Sequence, residues 1–133
     1  MTEKKVMCFG TFDGLHPGHL SYFRQAKKYG DYLIVVIARD SNVLRFKKHS
    51  PKFSENERLL AVKNANLADE VVLGDKDDIY KVIKEKKPEA VCLGYDQKAD
   101  EDKIKTAGSA VRILRLKPFQ PDKFKSSIIN LQS

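Results

Sequence analysis

Gly10-Thr11-Phe12-Asp13-Gly14-Leu15-His16-Pro17-Gly18-His19 is the stretch of this chain whose residue types and spacing carry most chemistry. Its two histidines stand three residues apart, so a helix that starts near Pro17 turns both rings toward one ligand. A helix start also offers unpaired backbone N–H groups and a partial positive charge. Gly18 lets a bulky phosphate come close to the backbone, and Pro17 suits the first helical position. The combination is an anion site. With a triphosphate laid across it, imidazole N–H donors would stabilise the charge that builds on the α-phosphate oxygens during in-line displacement, with no covalent intermediate. Two histidines at a helix start can also bind a metal or merely cap the turn, and H-x-x-H alone does not separate these roles. The surroundings favour phosphate: a strand precedes, glycines flank a T-x-F-D turn, an amphipathic helix follows, and no carboxylate or cysteine completes a zinc set nearby.

For the histidines to be so placed, the chain around them must alternate strands and helices. Short β-branched runs do alternate with amphipathic segments of about ten to fifteen residues, the pattern of βαβ units on a parallel sheet. Strands are predicted over residues 6–9, 32–38, 71–73, 91–93 and 111–114, and helices over 17–29, 55–66 and 79–86. Gly30-Asp31 stops the first helix. Ser54-Glu55-Asn56-Glu57 has the form of a capping box for the second, and Pro88 ends the third. Residues 45–52 and 117–125 read as loops, and in an open α/β sheet the loops beyond the strand carboxyl ends line the ligand crevice. The expected fold is α/β, a Rossmann-like three-layer sandwich whose parallel sheet has about five strands. Residues 1–133 are expected to form a single domain.

Composition narrows the partners. Apolar residues are 41% of the chain, charged residues 32%, and no apolar run is long enough to cross a bilayer. The start Met1-Thr2-Glu3-Lys4-Lys5 lacks the features of a secretory signal, so a cytoplasmic location is expected. Cys8 and Cys92 each fall inside an apolar strand-like run and read as small buried hydrophobes. A formal charge of +7 and a pI near 9.4 attract anions of every kind, triphosphates, nucleic acid and acidic membranes alike. The lysines of 84–87 are diluted by Glu85 and lack interleaved aromatics, which is a solvated helix face rather than a single-strand platform. Neither nucleic acid nor membrane is expected as a partner.

The signature G-T-F-D-G-L-H-P-G-H resembles the first motif of the HxGH nucleotidyltransferase superfamily, the cytidylyltransferase-like group. Within it, Ala38-Arg39-Asp40, Asn56-Glu57-Arg58, Ala68-Asp69-Glu70-Val71-Val72-Leu73-Gly74, Leu93-Gly94-Tyr95-Asp96-Gln97 and Phe124-Lys125-Ser126-Ser127 are similar to archaeal-type FAD synthetases. The resemblance implies that His16 and His19 hold the triphosphate and stabilise the transition state. It implies that Gly10, Thr11 and Phe12 meet the nucleotide through their backbone, and that Lys47 or Lys48 neutralises phosphate. Gly94 and Asp96 fall where relatives bind ribose or base, and a carboxylate suits ribose hydroxyls. Arg58 matches an arginine flanking the nucleotide. Ser126 and Ser127 match a pair that holds the β- and γ-phosphates at a helix start. Without the resemblance these residues have plainer roles: a solvated basic loop, an Asx-turn at Asp96, a surface pair at Arg58 and an N-cap at Ser126 or Ser127. The chain departs from its relatives at Pro121, Asp122 and Lys123, where they often carry cysteine.

The implied reaction is attack by the FMN phosphate on the α-phosphate of ATP, giving FAD and pyrophosphate. Mg²⁺ would be held largely by the triphosphate, since the sequence offers no carboxylate cage. The acceptor is already an anion, so positioning and charge neutralisation matter more than a general base. ATP and FMN are the expected partners, and homodimers are common among relatives. Two other readings stand beside this one: a CTP-dependent enzyme acting on glycerol phosphate or a similar phospho-alcohol, and a noncatalytic nucleotide- or RNA-binding module. A flavin site needs an apolar slot, for which Phe46, Phe53, Phe119 and Phe124 are candidates. Simple binding, by contrast, has no need of paired histidines at the α-phosphate.

Overall fold

The computed structural model describes residues 4–94, 97, 99–108 and 111–117. Asp96, Ser126, Ser127, Phe119, Phe124 and the 121–123 segment lie outside the described residues.

The longest apolar run, YLIVVI, becomes β2 (Tyr32–Ile37), five of whose six residues are buried. Such an uninterrupted run suits a strand covered on both faces. Its neighbour β1 (Lys5–Gly10) leads into the histidine signature. With β3 (Glu70–Leu73), β4 (Ala90–Leu93) and β5 (Arg112–Arg115), these form a five-stranded sheet ordered β3-β2-β1-β4-β5. Every adjacent pair is parallel. Charged residues concentrate at the two edge strands, with Glu70 on β3 and Arg112 and Arg115 on β5.

Period-two alternation in the central strands feeds two separate cores. On one face Val6, Cys8, Leu33, Val35 and Ile37 pack with Phe23 and Ala26 of α1 (Pro17–Lys27) and Val62 of α3 (Glu55–Asn64). On the other, Met7, Ile34, Val36, Val91 and Leu93 pack with Val82 and Ile83 of α4 (Lys81–Lys86) and Ile104 of α5 (Glu101–Ala107). This is the three-layer sandwich expected. Cys8 and Cys92 face each other across β1 and β4 as free, buried thiols. Among the described residues no helix is long and apolar enough to cross a membrane.

Two helices depart from expectation. α2 (Asp40–Lys47) occupies the front of the segment read as a basic loop. Asp40 in its first turn and Arg45 and Lys47 in its last complement the helix dipole, while Asn42 and Val43 are buried. Its N-cap, Arg39, makes no side-chain capping bond, so the usual start signal is missing. α5 has a regular cap, Asp100 accepting from the Lys103 amide, but buries Ile104 alone and so shows no apolar period. α4 begins at Lys81, two residues later than predicted, because Asp75 and Asp78 fold the preceding segment around their own carboxylates.

The chain runs outward from β1 to β2 and β3, then returns to lay β4 and β5 on the opposite side of β1. The order therefore reverses between β1 and β4. The crevice at their carboxyl ends is where an open α/β sheet binds its ligand. The histidine signature follows β1 and Gly94 follows β4.

Candidate active site

His16 is the N-cap of α1, with φ −136° and ψ 171°. Its Nδ1 accepts the Gly18 amide at 3.1 Å, and Nδ1 of His19 accepts the His16 amide at 3.4 Å. The pair thus forms a capping box made of imidazoles, in place of the usual hydroxyl and carboxylate. The rings stack with centroids 3.8 Å apart and planes 21° apart. Because each Nδ1 accepts, the proton of each neutral ring sits on Nε2. Nε2 of His16 is buried and has no hydrogen-bond partner among the described residues. An unsatisfied buried donor costs roughly 1–3 kcal/mol, which an incoming oxygen atom would recover.

Electrostatics keep both rings uncharged near neutral pH. Burial lowers the pKa of His16. His19 is lowered to about 4, first by burial, then by the charges of His16 and Lys47. Lys47, last residue of α2, therefore stands close enough for its charge to be felt at His19, whereas Lys48 forms the left-handed C-cap that closes the helix.

Phe12 fixes the rings from behind. It is buried, and its ring meets His19 edge-on at 5.2 Å and packs on Phe23 at 5.0 Å. The backbone there is left-handed at φ 53°, an unusual conformation for a bulky residue, which the ring packing holds in place. Gly10 makes this possible: a Cβ on it would lie 2.5 Å from Cζ of Phe12. The carbonyls of Gly10, Thr11 and Phe12 each already accept a protein donor, from the Ala38 amide, Arg58 and the Gly14 amide respectively.

Arg58 is not at the surface of the site. Its side chain has 0% exposure, with Nε on the Phe53 carbonyl at 3.0 Å, Nη1 on the Thr11 carbonyl at 2.8 Å and Nη2 on Asp40 at 2.7 Å. This corrects the reading of an exposed surface pair: the guanidinium ties the signature turn to the segment before α3 and to Asp40. Asp13, which the sequence reading passed over, makes a second tie between the same pieces by accepting the amides of Lys52 at 2.7 Å and Phe53 at 2.9 Å. Those bonds and the nearby positive charges hold its carboxyl below the usual range.

On the β4 side Gln97 spans the reversal. Its Nε2 donates to the Phe9 carbonyl and its Oε1 accepts the Gly94 amide, both at 3.0 Å. Arg115, at the end of β5, donates to the carbonyls of Gly94 and Gln97 and pairs with Glu101. Gly94 and Gln97 are therefore both held in place at the carboxyl end of β4. Gln97 lies inside the quoted L-G-Y-D-Q segment, but its bond across to β1 depends on tertiary placement that no local pattern reveals.

A parallel sheet with its crevice at the strand reversal, and two neutral imidazoles stacked at a helix start, are the equipment of a nucleotidyltransferase. The family model for cytidylyltransferase-like proteins matches residues 7–130, and the chain belongs to that family. It is 45% identical to the FAD synthase of Aciduliprofundum boonei, over 86% of this chain and 79% of that protein. It is 40% identical to the FAD synthase of Thermoplasma volcanium, over 94% and 90%. Among solved structures, the lipopolysaccharide core biosynthesis protein from Thermoplasma volcanium GSS1 superposes with a TM-score of 0.83 at 41% identity, covering 90% of this chain and all of that one.

Proposed function

We propose that this chain is an FMN adenylyltransferase whose residues 1–133 act as one domain, and that His16, His19 and Lys47 carry the transfer. The observation that supports it most is the buried Nε2 of His16, a donor with no acceptor among the described residues. The choice of substrates follows the FAD synthases to which the chain is similar over most of its length.

An oxygen of the FMN phosphate attacks the α-phosphorus of ATP. A P–O bond forms there as the bond to the β-phosphate bridging oxygen breaks, and pyrophosphate leaves with that electron pair. No proton need move. The Nε2–H groups of His16 and His19 donate to the non-bridging α-phosphate oxygens, where charge is greatest in the transition state. Lys47 supplies a full positive charge that the neutral rings do not. The backbone of Gly10, Thr11 and Phe12, with Gly94 and Asp96, seats the nucleotide, and Ser126 and Ser127 take the outer phosphates.

Transfers of this kind generally use a divalent cation. That ion would be Mg²⁺ held mainly by the triphosphate, since Mg²⁺ favours phosphate and water oxygens as ligands.

The test supplies the protein with FMN and ATP, or with glycerol 3-phosphate and CTP, and follows pyrophosphate. Turnover is expected with the first pair, and turnover with the second alone would overturn the substrate assignment. His16→Ala and His19→Ala should each lower kcat by about 10²–10³-fold with nucleotide binding retained, as loss of a transition-state donor does.

A further inference from the structure

Beyond the phosphates, one apolar feature near the signature turn has no role in the transfer itself. Between α2 and residues 50–54 lies a cavity of about 250 Å³, walled by Asp40, Ser41, Leu44, Ser50, Pro51 and Phe53. Leu44 is 51% exposed and Phe53 44% exposed, so two large apolar side chains open into it. Accepting FMN as the substrate, we infer that this cavity seats the isoalloxazine ring, with Phe53 as its stacking partner and Leu44 as the facing wall.

Placement argues for it. The Phe53 ring edge lies 3.6 Å from where a Cβ on Gly14 would stand, so one wall of the cavity lies beside the signature turn. Asp13 and Arg58 bind the Lys52 and Phe53 backbone to that turn, fixing the wall relative to His16 and His19. Charge argues for it too. Lys47, which His19 senses, ends the helix that lines the cavity, so an acceptor with an anionic end and an apolar end meets cation and apolar wall in the right order. The one carboxylate in the lining, Asp40, is engaged by Arg58 at 2.7 Å. The volume falls just below the roughly 300–1,000 Å³ of sites that enclose a whole ligand, as suits a ring system whose ribityl phosphate runs out over the rim. The hydroxyls of Ser41 and Ser50 offer partners to the polar edge of the ring. Phe46 is more exposed, at 62%, but lies outside the lining, stacked under Arg45.

The experiment measures KM for FMN and for ATP in FAD formation by the full chain and by Phe53→Ala, Leu44→Ala and Phe53→Tyr, with thermal melts to confirm folding. The first two variants should raise KM for FMN about tenfold while KM for ATP stays within about twofold, and Phe53→Tyr should keep the wild-type value. Quenching of FMN fluorescence on binding should weaken in parallel. An unchanged KM for FMN in both alanine variants overturns the inference and leaves the FAD reading standing, and so does the same result with a shifted oligomeric state, which would assign the face to a second copy of the chain. An equal rise in both KM values also overturns it, since the wall would then merely support the signature turn. Failure of the wild-type chain to make FAD from FMN and ATP sinks the functional reading and the inference with it.

Discussion

At the scale of single residues, the site depends on imidazoles that stay neutral. The pKa of His19 is about 4 in the folded chain against about 6.5 unfolded, so between those values the unfolded state binds more protons. Stability should therefore rise with pH from about 4 to about 6.5 and be lost as pH falls through that window. Thermal melts from pH 7.5 to 4 on wild type and His19→Gln check this: the variant, neutral throughout, should show the shallower slope, and equal slopes would refute the account. Asp13 and Glu70, whose carboxyls are held below their usual range, act lower on the pH scale and leave that upper window to the histidines. Gly10→Ala tests the support behind His19. Its Cβ must displace the Phe12 ring, a strain of about 1–3 kcal/mol, so kcat and melting temperature should fall together. Shortening the ring in the double variant Gly10→Ala/Phe12→Leu should restore part of the stability.

At the scale of elements, the tie formed by Arg58 decides how α3 serves the site. Arg58→Lys keeps the charge but cannot reach three acceptors in fixed directions. The carbonyls of Thr11 and Phe53 would lose their donors, costing about 1–3 kcal/mol in urea unfolding, with a drop in kcat if the signature turn relaxes. Helix α3 itself was legible in sequence, because Ser54 and Glu57 make the capping box their spacing announces. The role of Arg58 was not: its helix has little amphipathic pattern, and an arginine on such a helix reads as exposed. α2 was lost for the related reason that a helix of eight residues without a side-chain cap, rich in Lys and Arg, looks like a basic loop. The strands were easy, since each central one is an apolar run that only a doubly covered sheet accommodates. The spacing of the histidine pair at a helix start was legible, while its tautomers, its stacking and the Phe12 backing are facts of packing.

Across the whole molecule, a formal charge of +7 draws anions from a distance, and the proposed mechanism rests attraction and catalysis on different side chains. In the proposed mechanism the neutral histidines would act only at contact, through directed N–H groups. Lys47 and the other basic residues of 45–52 would act through charge, which salt screens over about 8–10 Å at ordinary ionic strength. The two contributions should separate under added KCl. For wild type, KM for ATP is expected to rise with salt while kcat changes little. Lys47→Met should raise KM several-fold at low salt and flatten that rise, because part of the screened attraction is gone. His16→Ala should instead lower kcat at every salt concentration and keep the wild-type salt slope in KM. Steady-state kinetics between about 20 and 300 mM KCl would show it, the upper end bringing the Debye length below that at physiological salt. If the His16 variant lost the salt slope and the Lys47 variant kept it, the division between charge and directed donor would be wrong. The site would then bind its phosphates through a protonated histidine, against the low pKa that burial gives both rings.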